Sequence, residues 1–310
     1  MKVGIVLGDF SWPGGPGELG RQVAGVARAA DEAGVDSLWV MDHFFQIRLT
    51  GLPPESPMLE SYATLGVIAG QTERIRLGTL VTSVAYRHPG ILVKAVTTLD
   101  VLSGGRMYLG LGAGAPWNPE PRGAGTGWEA EGLGIPFPPL ADRFEMLEEL
   151  LQVTSQMWTG DEEPFAGKHY QLARPLSSPA PVQRPHPPVL IAGGGARKTL
   201  RLVARYADAC HLPDMPGPYG GDLGEKLGLL REHCAAIGRD YAAIEKTVNG
   251  SFDLGDDPAA GRRDFLARLA SLAGLGFEHV MLAARGPWTA EKVAALAGLL
   301  PEIHALEPAP

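Results

Sequence analysis

Residues 3–41, VGIVLGDFSWPGGPGELGRQVAGVARAADEAGVDSLWVM, carry the pattern on which the fold turns. Val3 to Leu7 is a continuous apolar, β-branched run, as expected of a strand covered on both faces of a parallel sheet. From Leu19 to Ala33 the side chains Leu19, Val23, Val26, Ala27 and Ala30 recur at helical spacing, and Gly34 stands where a glycine ends a helix. Leu38-Trp39-Val40-Met41 then resumes the strand pattern. Strand, helix and strand in this order predict a parallel βαβ unit.

Working outward, the same syntax recurs. A helix over Leu59–Gln71 precedes a strand over Ile75–Val81, and a helix over Pro89–Leu102 leads through Ser103-Gly104 to a strand over Arg106–Leu111. A Pro/Gly-rich excursion from Ala115 to Pro139 follows. Next comes an amphipathic helix over Leu140–Trp158 with Phe144, Leu147 and Leu151 on one stripe, and then a second excursion from Gly160 to Pro188. The alternation returns with strands at Val189–Ala192, Ala209–Leu212, Ile244–Phe252 and His279–Ala283. Their helices are expected over Ala196–Tyr206, Leu223–Ile237, Pro258–Leu275 and Ala290–His304. Eight βα units without a detectable break in strand order favour a closed (β/α)8 TIM barrel over an open doubly wound sheet. One α/β domain is therefore expected over 1–310, with insertions near 115–139 and 160–188. In such a barrel the chemistry belongs to the C-terminal strand ends and the loops behind them.

Composition narrows the function. The 310 residues carry 27 Lys and Arg against 35 Asp and Glu, a formal net charge of −8. This leaves no overall electrostatic footprint for nucleic acid or an anionic membrane, while a local cationic pocket for phosphate remains compatible with it. Two cysteines, Cys210 and Cys234, exclude a disulfide scaffold and a Cys-rich metal cluster. The N-terminus lacks a long apolar leader core and no 18-residue apolar stretch occurs, so a soluble cytoplasmic protein is expected. The 41 glycines and 27 prolines imply many turns and many short elements.

Four places carry candidate chemistry. Asp42-His43 closes the second strand, where a histidine beside a carboxylate suits proton transfer or hydrogen bonding to a ring cofactor; a loop histidine with a capping aspartate is the plainer alternative. Gly110-Leu111-Gly112-Ala113-Gly114-Ala115 matches the letters of the dinucleotide fingerprint, but Pro116-Trp117-Asn118-Pro119 follows where that fingerprint needs a helix. The glycines are therefore read as permitting close approach of a flat ligand, or as simple loop flexibility. Asn118 is a side chain able to donate to and accept from a ring edge, unless it makes an Asx turn before Pro119. Finally, Val189 to Gly195 runs strand into Gly193-Gly194-Gly195 ahead of a helix expected to carry Arg197 and Lys198 in its first turn. Bare N–H groups, a helix dipole and two cations make an anion site there, against a loop whose basic side chains point to solvent. No G-x-S-x-G elbow, P-loop or H-E-x-x-H occurs, and the eight histidines lack metal-ligand spacing, so hydrolase, nucleotide kinase and zinc enzyme lose ground.

Met41-Asp42-His43-Phe44, Arg76 to Val81, Tyr86-Arg87-His88-Pro89, Thr98 to Arg106, Gly110 to Gly114 and Pro188 to Gly195 together resemble the bacterial luciferase-like monooxygenase superfamily, and more closely its branch that uses the deazaflavin coenzyme F420. The resemblance spans nearly the whole chain in order. It implies a (β/α)8 barrel with a ring cofactor in its mouth and Asp42 and His43 as the pair contacting the deazaflavin, His43 exchanging the proton. Leu80-Val81 corresponds to a bulge, often with a cis peptide, against which the ring presses. Asn118 falls where relatives place an asparagine near the ring carbonyls, and Ala192, Gly193, Gly194 and Gly195 where they bind the tail phosphate. Ala115 departs from the glucose-6-phosphate dehydrogenases of the branch, which carry an acidic residue there. The implied activity is hydride transfer between the deazaflavin C5 and a small organic substrate. An FMN-dependent monooxygenase and a non-catalytic flavin- or deazaflavin-binding protein are the alternatives. The resemblance also implies a homodimer as the candidate assembly, and the dispersed histidines lead to the expectation of no metal.

Overall fold

The computed structural model describes residues 1–47, 50–114, 126–215 and 220–310. Its elements follow the expected alternation. β1 (Lys2–Leu7), α1 (Pro16–Ala33), β2 (Ser37–Val40) and α2 (Ser61–Ala69) open the chain, followed by β3 (Arg76–Thr79), β4 (Thr82–Ser83), α3 (Pro89–Leu102) and β5 (Leu109–Gly112). α4 (Thr126–Gly132) and α5 (Leu140–Thr159) come next, then a hairpin of β6 (Phe165–Ala166) and β7 (Gln171–Leu172). β8 (Val189–Ala192), α6 (Thr199–Tyr206), β9 (Ala209–Leu212), α7 (Leu223–Ala236), β10 (Glu245–Phe252), α8 (Pro258–Gly274) and β11 (His279–Ala284) continue the alternation. α9 (Ala290–Ala297) and α10 (Leu300–His304) end it.

The strands pair in parallel in the order β3-β2-β1-β11-β10-β9-β8-β5-β4. The two ends of this row are successive pieces of one strand, interrupted only at Leu80-Val81. Leu77 closes the ring by bonding to the segment ahead of β5, accepting from Tyr108 N and donating to Arg106 O. The result is an eight-stave (β/α)8 barrel in which the third stave is broken.

Side chains alternate along each strand, so one set fills the barrel bore. Trp39, Tyr108, Leu190, Ala209 and Met281 form its packed centre, with Val6, Leu80, Val81 and Ala192 above them toward the C-terminal mouth. Trp39 needs glycine opposite: a Cβ on Gly78 would lie 2.5 Å from its ring. At the N-terminal end Glu245 binds Lys2 at 2.8 Å and Tyr108 at 3.3 Å, with His279 Nδ1 at 3.5 Å. Burial resists the charge on Glu245, but His279 and Lys2 outweigh it and bring the carboxyl down to about 2. The bore is thus sealed below and open above.

Two expectations change. The helix expected from Ala196 begins only at Thr199, after a turn that leaves Arg197 and Lys198 exposed. The last helix is two pieces, because Pro301 lacks the N–H that an uninterrupted helix would use and instead occupies the first turn of α10. Among the described residues of the two excursions, α4 lies within the first and the β6–β7 hairpin within the second.

Candidate active site

The mouth of the barrel holds a cleft of two lobes. One, about 480 Å³, is lined by His43, Val81, Gly112 to Gly114, Gly193 to Gly195, Thr199 and Lys226. The other, about 590 Å³, lies over β1, β10 and β11. They share Val81, Ala192, His211 and Pro213, and so meet at the floor. Both sit at the C-terminal strand ends, where βα-barrel chemistry is found.

His43 follows β2 and stands partly exposed at the first lobe. Its Nδ1 lies 2.5 Å from Glu129 Oε2, a carboxylate with no exposed side-chain area. Glu129 belongs to α4, 86 residues away, and its position is fixed by three other donors. Phe44 N and Phe45 N donate to Oε1 at 2.6 and 2.9 Å, and the Tyr86 hydroxyl donates to Oε2 at 2.6 Å. Phe45 packs edge-on to Trp128 and Phe44 against Tyr86, which docks α4 on the mouth. A carboxylate only accepts, so the His43 hydrogen sits on Nδ1 and Nε2 is the basic nitrogen.

Asp42 also lines the first lobe. Its carboxylate is buried in the wall, where Ser61 donates to Oδ1 at 2.8 Å, Thr82 to Oδ2 at 2.7 Å, and Arg87 to both oxygens at 2.5 and 3.1 Å. Four donors thus hold the two oxygens, as a buried charge requires. Burial works against the Arg87 charge, yet Asp42 and its neighbours raise the guanidinium above its ordinary pKa. The pair fixes the base of the loop that presents His43.

Leu80 and Val81 form an apolar ledge above the bore, and the peptide joining them is cis. Gly110 and Gly112 face this ledge: a Cβ on Gly112 would reach Val81 Cγ2 at 3.1 Å. Ala192 and Gly193 to Gly195 come together with Lys226, which sequence reasoning missed. A Cβ on Gly194 would fall 2.2 Å from Lys226 Nζ, and one on Gly195 would fall 2.8 Å from Thr199 Oγ1. Lys226 is buried, which lowers its pKa, and it bonds Gly220 O. It, rather than Arg197 or Lys198, is the cation at the glycine loop; Lys198 Nζ lies instead 5.2 Å over the Phe144 ring. On the floor, burial and then His279 push the His211 imidazole down to about 3, so it is neutral, with Nδ1 2.9 Å from Thr247. Asn118 and Ala115 lie outside the described residues.

A cleft with a flat apolar ledge, a histidine held by a carboxylate and a glycine loop beside a buried lysine suits a planar ring carrying an anionic tail. A sequence profile of luciferase-like monooxygenases matches residues 1–305. The chain belongs to the luciferase-like monooxygenase family. Within the family it is 30% identical over 248 residues to a protein from Kineococcus radiotolerans named F420-dependent glucose-6-phosphate dehydrogenase, covering 79% of this chain and 66% of that one. A protein of the same name from Amycolatopsis mediterranei is 33% identical over 188 residues, 60% of this chain and 50% of that one. The chain thus spans between half and two thirds of these relatives. Among solved structures, the monooxygenase RslO1 from Streptomyces bottropensis superposes with a TM-score of 0.76 at 20% identity, covering 97% of this chain and 99% of that one. An F420-dependent secondary alcohol dehydrogenase with an F420-acetone adduct gives a TM-score of 0.76 at 17% identity, covering 97% and 98%. Both share the family's barrel. Among the described residues no helix is long and apolar enough to cross a membrane, and no cluster of three or more His, Cys, Asp or Glu could hold a metal ion.

Proposed function

We propose that the protein is a coenzyme F420-dependent oxidoreductase that moves a hydride between the deazaflavin C5 and a small organic substrate, with His43 exchanging the accompanying proton. The observation carrying this reading is the His43–Glu129 pair at the lip of the first lobe, where His43 lines the same cavity as the apolar Val81. The names of its relatives support the choice of coenzyme.

The residues fit that group. Leu80 and Val81 offer an apolar seat for one face of a ring, and the bare backbone of Gly193 to Gly195 beside Lys226 offers a seat for a phosphate. Ala192 borders the two. Asn118 would serve the ring carbonyls. When bound, the deazaflavin supplies two-electron chemistry at C5. The chain does the rest: the ledge and the glycine loop fix position, and Glu129 holds the His43 tautomer so that Nε2 accepts or returns a proton. Asp42 and Arg87 act as positioning residues through the wall.

The test is anaerobic incubation of the protein with F420 and a panel of alcohols, or with the reduced coenzyme and carbonyl compounds. Coenzyme reduction or oxidation without dioxygen is expected. Turnover only with FMN and consuming dioxygen would overturn the reading in favour of a monooxygenase.

A further inference from the structure

The two lobes differ in their charged groups. The first contains the glycine loop, Lys226 and His43. The second is walled by Val6, Met41, Met281, Ala283 and Trp288, with the Leu80-Val81 ledge at its border with the first, and its charged lining groups are Asp9, Asp253 and Arg285. Arg285 stands 3.8 Å from Asp253 with its side chain 89% exposed, so it answers a carboxylate at the rim rather than serving the interior. Asp9 is tied by Ser11 N at 2.8 Å. Beyond the rim the surface becomes more acidic: a neighbouring depression shares Asn249 to Ser251 and Asp253 with the lobe and adds Asp214, Asp257 and Asp264, with its Arg268 already paired to Asp214.

We infer that the second lobe is the substrate bay and that it takes an uncharged, largely apolar molecule in preference to a phosphorylated one. This rests on the first lobe being the coenzyme's seat. Three features point the same way. An anion entering the bay would leave water for an apolar wall with two carboxylates at its edge, at a desolvation cost that no interior cation among the described residues offsets. His211 at the shared floor is neutral, so it meets a ligand as a hydrogen-bonding group and not as a charge. Three methionines, Met41, Met215 and Met281, give the wall unbranched, polarizable side chains that adapt to irregular apolar shapes. A volume of about 590 Å³ lies within the range of small-molecule sites. The dehydrogenases similar to this chain are named for glucose 6-phosphate, so the inference separates this protein from them at the level of substrate.

Isothermal titration of the protein, bare and loaded with F420, with cyclohexanone and with glucose 6-phosphate tests it. The neutral ketone is expected to bind at least about tenfold more tightly than the sugar phosphate. Ala283, at the mouth of β11 with its side chain open to the bay, is the position to fill: Ala283→Phe is expected to weaken ketone binding about tenfold and to leave F420 affinity within about twofold. Tighter binding of glucose 6-phosphate overturns the inference, as does an Ala283→Phe variant that loses F420 and keeps the ketone. If wild-type protein fails to bind F420, the proposed function falls. The bare-protein titrations with both probes still decide the character of the bay, as they do if the variant does not fold.

Discussion

Replacing Glu129 by Gln keeps the shape of the side chain and removes its charge. In the wild-type protein four donors converge on this carboxylate: the N–H groups of Phe44 and Phe45, the Tyr86 hydroxyl and His43 Nδ1. The Gln oxygen can keep the two backbone donors, but its NH2 then faces His43 Nδ1 and the Tyr86 hydroxyl. Two charge-assisted bonds are lost, each worth on the order of 1.5–3 kcal/mol. His43 relieves the donor-to-donor conflict by moving its hydrogen to Nε2, so that Nδ1 accepts from the amide. The nitrogen facing the cavity is then no longer basic. The expected result is a folded protein with coenzyme affinity nearly unchanged and a turnover rate at saturating coenzyme lowered by about 10²- to 10⁴-fold, the scale of a lost general acid or base. His43→Ala should produce a similar loss, and the double variant should be no worse than either single one, because the two residues act as a unit. Single-turnover kinetics on F420-loaded protein measures all three. Wild-type turnover in a folded Glu129→Gln variant, or losses that multiply in the double variant, would refute the pairing.

Gly194→Val places a branched side chain where Lys226 Nζ lies and should weaken F420 binding at least about tenfold, ~1.4 kcal/mol, by fluorescence titration; unchanged affinity would make the loop structural. Arg87→Ala leaves the Asp42 carboxylate buried with only two hydroxyl donors and should lower unfolding stability by about 3–5 kcal/mol in urea titration; a loss below about 1 kcal/mol would contradict the wall assignment. Glu245 ionises at about 2 in the fold against 4.5 when unconstrained, so its contribution is fully present above pH 4.5 and is lost as the pH falls toward 2. That contribution is at most about 3 kcal/mol. Thermal melts of wild type and Glu245→Gln across this window should converge at the acid end, and parallel curves would refute it.

Much of the barrel was legible because its signal is local. Val3 to Leu7 and Val189 to Ala192 read as buried parallel strands from their apolar runs alone, and Gly34 marked the end of α1 as expected, at φ +82°. Closure was not legible, since it depends on hydrogen bonds between Leu77 and the segment ahead of β5, which no periodicity encodes. His43 stood out by its place at a strand end. Glu129 did not: α4 is short and sits within a Pro/Gly-rich excursion. The one available signal was an acidic, helix-compatible Trp128-Glu129-Ala130-Glu131 in an otherwise turn-rich stretch, together with the missing acid at Ala115. Lys226 was hidden for the opposite reason. It lies within a regular helix where a lysine normally faces solvent, and only the fold of α7 against the β8 loop turns it inward. Arg197 and Lys198 looked like the cations of the anion site because the helix was expected three residues too early.

The paired titration of purified protein with F420 and with FMN, followed by absorbance under anaerobic conditions, tests the central claim most directly. A ring on the Leu80-Val81 ledge with a phosphate at Gly193 to Gly195 and a longer anionic tail running past exposed Arg197 and Lys198 predicts saturable F420 binding with a Kd on the order of micromolar or below, and FMN binding at least about tenfold weaker. Equal or tighter binding of FMN would contradict it.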